Sequence, residues 1–312
     1  MVAVIEAAGL TKRYGSRRGI EDVAFSVGEG EVFGFLGPNG AGKTTTIRLL
    51  LGFIRPTAGQ ATILGLDTWR AAPEVHRNVA YLGSDPGYLG NLTAAEQLDY
   101  LVGLRGLTKG AWRVMAERLE LDPTISIRRL SRGNRQKIGV VAAFSGAEPV
   151  LVLDEPTTGL DPLMQREFLE IIAEVRKAGR TVFLSSHNLT EAERACDRVG
   201  IIRDGRLTEV RRVSELLGVH QRWINLLLAE AAPNGHFDLA NVDVLAQTGR
   251  EVHLMVRGDI NALLDRIAAL DVEDIAITTP DVEDLFLREY RGPVNRPSDT
   301  AAGLDGAREA VR

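Results

Sequence analysis

The sequence contains a single cysteine, Cys196, among 312 residues. One cysteine excludes an internal disulfide, and such sparse use fits a reducing compartment. Long apolar runs are also missing, because Gly, Pro, Glu and Asp interrupt each stretch before it reaches the ~20 residues that cross a bilayer. The N-terminus lacks a basic head followed by an apolar segment and a small-residue cleavage site. We therefore expect a cytosolic protein that is not secreted and does not itself enter a membrane.

No sign of charge dominates, since 37 Lys and Arg residues stand against 42 Asp and Glu residues, giving a net charge of −5. This balance argues against a surface that binds nucleic acid as a whole, and we predict no nucleic-acid partner. The hydrophobic fraction of 45% and the charged fraction of 25% are those of an ordinary globular protein. A chain of this length can bury a substantial core, and two domains are expected.

The pattern of apolar residues predicts an α/β fold. Short β-branched runs such as VLVLDE and TVFLSSH are typical of buried parallel strands, and they alternate with helical patterns after a β-rich start. Residues 85–145 are predicted as an inserted α-helical subdomain. We predict a first domain over residues 1–214, a small α+β domain over 215–290 with a TGR hairpin turn, and a disordered tail over 291–312. Helical spacing within the small domain links Ile260, Leu263, Leu264 and Ile267.

A glycine-rich motif, GPNGAGKTT, follows the apolar run VFGFL and precedes a helical pattern. Strand, glycine-rich turn and helix form the context in which such a motif binds nucleotide phosphates, although a glycine-rich turn with a surface lysine is the structural alternative. Glycines let consecutive backbone N–H groups point at an anion, and the helix N-terminus adds positive potential. Lys43 supplies a mobile charge for the β- and γ-phosphates, and the Thr44 hydroxyl is a ligand for Mg²⁺. The predicted nucleotide-binding residues of this motif are Gly37, Pro38, Asn39, Gly40, Ala41, Gly42, Lys43, Thr44 and Thr45.

A second motif, PVLVLDEP, places two acids at the end of a predicted buried strand. Asp154 stands at the carboxyl end of that strand, where it can hold Mg²⁺ through water. Glu155, the next residue, can reach the γ-phosphate and accept a proton from water. Adjacent carboxylates that close a buried strand would repel each other without a cation, which argues against a purely structural turn.

Three further segments make residues 1–210 resemble the ATPase subunit of ABC transporters. TTGLDP, Thr157–Pro162, is similar to the family's D-loop, and FLSSH ends at His187, where the family has its switch histidine. Tyr14 stands where the family stacks an aromatic ring on adenine. The resemblance implies ATP as the nucleotide, Mg²⁺ as its metal, and Glu155 and His187 as catalytic residues.

The segment LSRGNRQK, at residues 130–137, resembles the family's signature motif LSGGQ. In the family this turn contacts the nucleotide that the opposite subunit holds, so the resemblance implies a dimer with Ser131, Arg132, Gly133 and Asn134 at the ATP of the second subunit. Arg132 replaces the first glycine of the motif and Asn134 replaces its glutamine, whereas the serine and the second glycine are retained. Judged without the other motifs, the Ser–Gly turn is also an ordinary helix N-cap.

Two positions of the resemblance leave alternatives open. The family's Q-loop glutamine is missing from YLGSDPG, and by register Ser84 takes its place with a shorter and weaker ligand. We expect at best a water-bridged contact of Ser84 with Mg²⁺, with Asp85 as a substitute, or else a loop that is only a hinge. Asp161 of the D-loop is a dimer contact, an N-cap for the helix from Pro162, or both.

The C-terminal part is similar to the drug- and antibiotic-exporting branch of the family. TPDVEDLFLREY, Thr279–Tyr290, resembles the tail of ATPases that serve ABC-2-type membrane subunits, and LSRGNRQK resembles a signature variant of that branch. The resemblance implies an ATPase at the cytoplasmic face of the plasma membrane, working with a separate ABC-2-type permease and a second ATP-binding subunit. A homodimer is expected, and a heterodimer is the alternative. An importer ATPase, a non-transport ABC ATPase and another type of phosphate-loop enzyme are the alternatives.

Overall fold

The structure, a computed structural model, describes residues 3–15, 17–84, 87–218 and 221–278. The predicted tail over 291–312 and the segment Thr279–Tyr290 therefore lie outside the described residues. The strands are β1 (Ala3–Tyr14), β2 (Arg17–Gly28), β3 (Val32–Leu36), β4 (Ala58–Ile63), β5 (Leu66–Asp67), β6 (Val79–Leu82), β7 (Val150–Asp154), β8 (Thr181–Ser186), β9 (Arg198–Arg203), β10 (Arg206–Arg212), β11 (Gln221–Leu228), β12 (Val242–Thr248), β13 (Glu251–Arg257) and β14 (Val272–Thr278). The helices are α1 (Lys43–Leu50), α2 (Ala72–Arg77), α3 (Ala94–Leu104), α4 (Arg113–Arg118), α5 (Arg132–Phe144), α6 (Pro162–Lys177), α7 (Leu189–Ala195), α8 (Val213–Gly218) and α9 (Asn261–Ala268), with a 3₁₀ turn at Ile127–Arg129.

Two sheets form the first part of the chain. An antiparallel sheet has the order β2-β1-β4-β5, and a second sheet has the order β10-β9-β3-β8-β7-β6. All pairs of the second sheet are parallel except β9 with β10. Every residue of β3, β7 and β8 is buried, as expected for the continuous apolar runs of these strands. Because neighbouring parallel strands end at the same edge, Leu36, Asp154 and Ser186 come together there.

Helices follow β6, as the sequence predicted for residues 85–145. Helix α3 begins with a capping box in which Thr93 and Glu96 satisfy each other's backbone N–H groups. Helix α4 ends at Arg118, and Glu120, with a φ of 52°, turns the chain directly afterwards. The first residue of α5 follows directly on Ser131.

The last described part is an antiparallel sheet of order β12-β13-β11-β14 with one helix. The predicted TGR turn joins β12 to β13, and Gly249 at its centre has a φ of 58°. Leu263 and Ile267 of α9 are buried against the sheet, whereas Ile260 is the N-cap of the helix rather than part of it. The predicted α/β class, with a β-rich start, an inserted helical part and a small α+β unit, is confirmed. The domain limits stay predictions, and the proposed limit at residue 214 falls within α8.

Candidate nucleotide-binding and hydrolytic site

The glycine-rich loop connects β3 to α1, as the motif predicted. Helix α1 begins at Lys43, and its N-cap Gly42 has a φ of 113°. A Cβ atom at Gly42 would lie 2.6 Å from Ile20 Cγ2, so both the backbone angle and the space require glycine. Within the described residues no side chain caps this end of the helix, which leaves its first N–H groups available to an anion.

Lys43 connects this loop to the acidic motif. Its side chain is buried, and its Nζ donates to the carbonyl oxygens of Gly37 at 2.6 Å and Pro38 at 3.2 Å. The same Nζ lies 3.1 Å from Glu155 Oε1. A buried ammonium group held between carbonyl oxygens and a carboxylate is placed to exchange these partners for phosphate oxygens.

Asp154 is fully buried at the end of β7. Its Oδ2 accepts a hydrogen bond from Thr44 Oγ1 at 2.9 Å, and its Oδ1 accepts one from Ser185 Oγ at 2.6 Å. Burial raises the pKa of the nearby Tyr81 phenol, the Asp154 carboxylate raises it further, and Arg48 opposes both. The Asp154 carboxylate therefore affects the ionisation of Tyr81, and hydrogen bonds from two hydroxyl groups fix its orientation.

The Asp154 and Thr44 pair fits a magnesium ion. No ion pair compensates the Asp154 carboxylate among the described residues, and a buried charge without a partner is costly. Mg²⁺ prefers oxygen ligands and is commonly held by one or two protein side chains together with phosphates and water. A carboxylate beside a threonine hydroxyl at the mouth of a phosphate loop is such a donor set.

Glu155 stands in a strained conformation directly after β7. Its φ is 52°, in the left-handed region that residues with side chains seldom adopt. His187 Nδ1 lies 2.7 Å from its Oε2. The Oε1 atom is buried and accepts no hydrogen bond within the described part of the chain, although Lys43 Nζ lies 3.1 Å away. Oε1 is thus paired with Lys43, and it would become available as an acceptor for a water proton where the ammonium group turns to phosphate oxygens.

A cavity of about 620 Å³ lies in front of these groups. A volume of this size is typical of small-molecule sites. The predicted site residues that line it are Tyr14, Asn39, Gly40, Gly42, Lys43, Thr44, Thr45, Ser84, Arg132, Glu155 and His187. Gly19 and Thr158 also line it; Thr158 belongs to the D-loop segment, whereas no sequence signal had selected Gly19.

Tyr14 forms an outer wall of the cavity. Its ring is 46% exposed, and Lys12 Nζ lies 5.4 Å from the ring centroid. A Cβ atom at Gly19 would come within 2.9 Å of the Tyr14 ring, so the glycine lets the ring lie against the backbone. An exposed aromatic face with a cation at its side can stack on a flat heterocycle.

Only part of the signature segment borders the cavity of its own chain. Ser131 is the N-cap of α5, and its Oγ accepts a hydrogen bond from the Asn134 N–H at 3.2 Å, which confirms the capping alternative. Arg132 borders the cavity of its own chain, whereas Ser131 and Asn134 do not. The contact of this turn with a nucleotide in a second subunit stays a prediction.

The two positions with open alternatives are resolved only in part. Ser84 borders the cavity, but Asp85 lies outside the described residues. Asp161 caps α6 by accepting hydrogen bonds from the N–H groups of Leu163 at 3.1 Å and Met164 at 3.0 Å. Its capping role is confirmed, and its role as a dimer contact stays a prediction.

Sequence reasoning missed a small network around Glu191. Glu191 Oε2 accepts hydrogen bonds from Thr157 Oγ1 at 2.7 Å and Ser186 Oγ at 3.2 Å. This carboxylate therefore joins the D-loop segment to the strand end that carries His187. The segment TEAER gave no sign of it, because a glutamate in a helix is usually solvated.

Comparison with known proteins agrees with this geometry. Residues 20–158 match the family described as ABC transporter. The chain is 34% identical over 305 residues to the bacitracin transport ATP-binding protein of Bacillus licheniformis, which covers 94% of this chain and 99% of that protein. A fluoroquinolones export ATP-binding protein of Mycobacterium tuberculosis is 34% identical over 217 residues, with 68% of this chain and 72% of that protein covered.

A solved structure of an ATP binding subunit of an ABC transporter is also similar, with 31% identity and a TM-score of 0.62. The similarity covers 68% of this chain and 91% of that one. In the described residues, no helix of this protein is long and apolar enough to cross a membrane. The extent of these matches, together with the phosphate loop, the buried Asp154 and Glu155 beside His187, leads to one conclusion. The chain belongs to the ABC transporter family, as an ATP-binding ATPase of that family.

Proposed function

We propose that this ATPase drives the export of a drug or antibiotic through a separate ABC-2-type membrane subunit at the cytoplasmic face of the plasma membrane. The observation that supports it most is the 34% identity to a bacitracin transport ATP-binding protein over nearly the whole of both chains. That span includes residues beyond the nucleotide site, and the fluoroquinolones export protein supports the direction of transport.

ATP binds in the cavity with its triphosphate along the glycine-rich loop. Lys43 contacts the β- and γ-phosphates, and the N-terminus of α1 adds backbone donors. The adenine ring stacks on Tyr14. Thr44 and Asp154 hold the Mg²⁺ ion that accompanies the nucleotide. When bound, this ion neutralises charge on the phosphate oxygens.

Glu155 acts as the general base. Its Oε1 accepts a proton from a water molecule whose oxygen attacks the γ-phosphorus, the bond from that phosphorus to the bridging oxygen breaks, and ADP and phosphate leave. His187 holds the other carboxylate oxygen at 2.7 Å and so fixes the direction in which Oε1 points. Lys43, 3.1 Å from Glu155 Oε1, stabilises the negative charge that develops on the γ-phosphate.

The working unit in this proposal is a homodimer in which the Ser131 turn of one chain closes the site of the other. Ser131 is exposed and caps α5, so its hydroxyl group and the first N–H groups of the helix form a second anion-binding turn. Arg132 borders the cavity of its own chain, but Ser131 and Asn134 do not, and their groups are therefore available to a partner nucleotide.

Turnover per chain is therefore expected to rise with protein concentration. Ser131→Ala is expected to lower the ATPase rate by about tenfold at saturating concentration, because the partner site loses a donor to phosphate. The matched control is Ser126→Ala. Ser126 is the N-cap of the 3₁₀ turn at Ile127–Arg129 in the same helical part, and its side chain makes no capping hydrogen bond. A dilution series with thermal melts of each variant measures both effects. A rate that is independent of dilution and of Ser131 would contradict the dimer.

The export proposal is tested by purifying the intact complex from membranes. We expect a polytopic membrane protein to co-purify, and cells that express both proteins to accumulate less of an added antibiotic than cells carrying Glu155→Gln. ATP-driven uptake into those cells would identify an importer instead. Recovery with ribosomes or nucleic acid and without a membrane protein would identify a non-transport ATPase.

A further inference from the structure

The signature helix α5 of each chain contacts the turn that carries Glu155 in the same chain. Gln136, in the second turn of α5, is only 6% exposed. Its Nε2 donates to the carbonyl oxygen of Pro156 at 3.0 Å and to that of Glu155 at 3.4 Å. A buried amide whose nitrogen faces two carbonyl groups of one short segment is a fixed support for that segment.

Glu155 needs such support because of its backbone conformation. At a φ of 52° an L-residue tends to relax toward the right-handed region unless its surroundings hold it. Its N–H group donates to Ser185, with distances of 3.2 Å to the carbonyl oxygen and 3.1 Å to Oγ. Its carbonyl oxygen accepts hydrogen bonds from the Thr158 N–H at 3.2 Å and from Gln136 Nε2 at 3.4 Å. The strained residue is therefore held from the β8 side through its N–H group and from the α5 side through its carbonyl group.

A second contact of α5 lies at the other end of the same segment. The α-carbon of Gly133 faces the backbone of Gly159, and a Cβ atom at Gly133 would overlap the Gly159 carbonyl oxygen. Helix α5 thus touches residues 155–159 at both ends, with Gly133 in its first turn and Gln136 in its second. No part of this arrangement depends on a second subunit.

We propose that Gln136 is a positioning residue for ATP hydrolysis, which holds the Glu155 backbone so that its carboxylate faces Lys43 and His187. The proposal rests on the proposed role of Glu155 as the base. Gln136 does not itself line the nucleotide cavity, and it acts on the site through the Glu155 and Pro156 carbonyl groups.

The test is Gln136→Met in the full-length protein, which keeps the length of the side chain and removes the amide donor. We expect kcat to fall by about tenfold or more, because a displacement of about 1 Å at a reacting group has effects of this size. The KM and the Kd for ATP should stay within about twofold, since the phosphate loop is untouched. Equilibrium binding of a fluorescent ATP analogue and steady-state kinetics separate the two quantities.

Gln97→Met is the matched control. Gln97 is also in the helical part and is 1% exposed, but its Oε1 accepts from the Leu89 N–H at 2.9 Å, away from the catalytic turn. The control should keep its kcat, and an equal fall in both variants would show a general loss of packing and overturn the proposal. Gln136→Asn, whose shorter side chain cannot reach the same carbonyl groups, is the second variant if the methionine variant does not fold.

A double variant separates this proposal from the proposed function. In the Glu155→Gln background, Gln136→Met should lower the residual rate by less than twofold, because a positioning residue acts only through the group that it positions. An additive loss would overturn the positioning role. If Glu155→Gln alone leaves turnover unchanged, the assignment of the base has failed. If it abolishes turnover while Gln136→Met has the kcat of the unaltered protein, only the present inference has failed.

Discussion

Replacing Glu155 with glutamine is expected to lower ATP turnover by on the order of 10²-fold or more while the affinity for ATP is retained. Glutamine has the shape of glutamate and can still contact His187, so the cavity wall should keep its form. Its neutral amide cannot take up a water proton. Removing a negative charge next to the γ-phosphate also relieves repulsion, so the Kd for ATP should be unchanged or lower.

Single-turnover kinetics and equilibrium ATP binding measure the two sides of this prediction. Glu170→Gln is the control, since Glu170 lies on the exposed face of α6 and pairs with Arg166 one turn away. Such exposed pairs contribute little to stability, so the control should turn over ATP at the unaltered rate. Unchanged turnover in Glu155→Gln would show that another group accepts the proton.

The sequence predicted those parts of the site in which residue type and local order suffice. The phosphate loop needs glycines between a strand and a helix, and Lys43 and Thr44 follow at fixed positions. The end of β7 was predicted because four apolar residues precede Asp154. These signals lie within a few residues of each other, so the pattern alone contains them.

Contacts between distant segments could not be predicted in the same way. Ser185 reaches Asp154 because β7 and β8 pair in a register that places the two residues opposite each other. Gln136 reaches the Glu155 turn through the packing of α5, and Glu191 reaches Thr157 through that of α7. Each depends on an angle or a register that composition does not determine. The positive φ of Glu155 is likewise imposed by these contacts rather than by its residue type.

The secondary structure was likewise predicted where the signal is local and missed where it is not. The strands and hairpin of the C-terminal part were predicted by alternation and by the TGR turn, because both are local signals. The end of helix α4 could not be predicted in this way, since the apolar residues continue to Leu121 although the chain turns at Glu120. Spacing reports which side chains can be buried on one face, whereas the end of a helix depends on one or two backbone angles.

Lys43 is the position at which a single change should affect nucleotide binding most. Its ammonium group is buried and contacts the carbonyl oxygens of Gly37 and Pro38 as well as Glu155. Since it is already desolvated, it gains strong hydrogen bonds to phosphate oxygens without a further loss of water. Hydrogen bonds to charged groups contribute about 1.5–3 kcal/mol each, so two such bonds account for about 3–6 kcal/mol.

Lys43→Ala is therefore expected to weaken ATP binding by at least ~10²-fold, since about 3 kcal/mol corresponds to that factor. Turnover should fall below detection because the same charge is lost from the transition state. Titration calorimetry measures the affinity, and a thermal melt measures any change in stability from leaving the Glu155 carboxylate without its cation.

Lys43→Arg keeps the charge but presents it in a planar group that is too large for the two carbonyl contacts. Partial recovery of binding without recovery of turnover would therefore assign the loss of binding to charge and the loss of turnover to geometry. The control Lys177→Ala removes an exposed lysine from the end of α6 and should leave both affinity and turnover unaltered. An unchanged affinity in Lys43→Ala would mean that the backbone donors of the loop bind the triphosphate without the lysine, and the proposed contact would then be wrong.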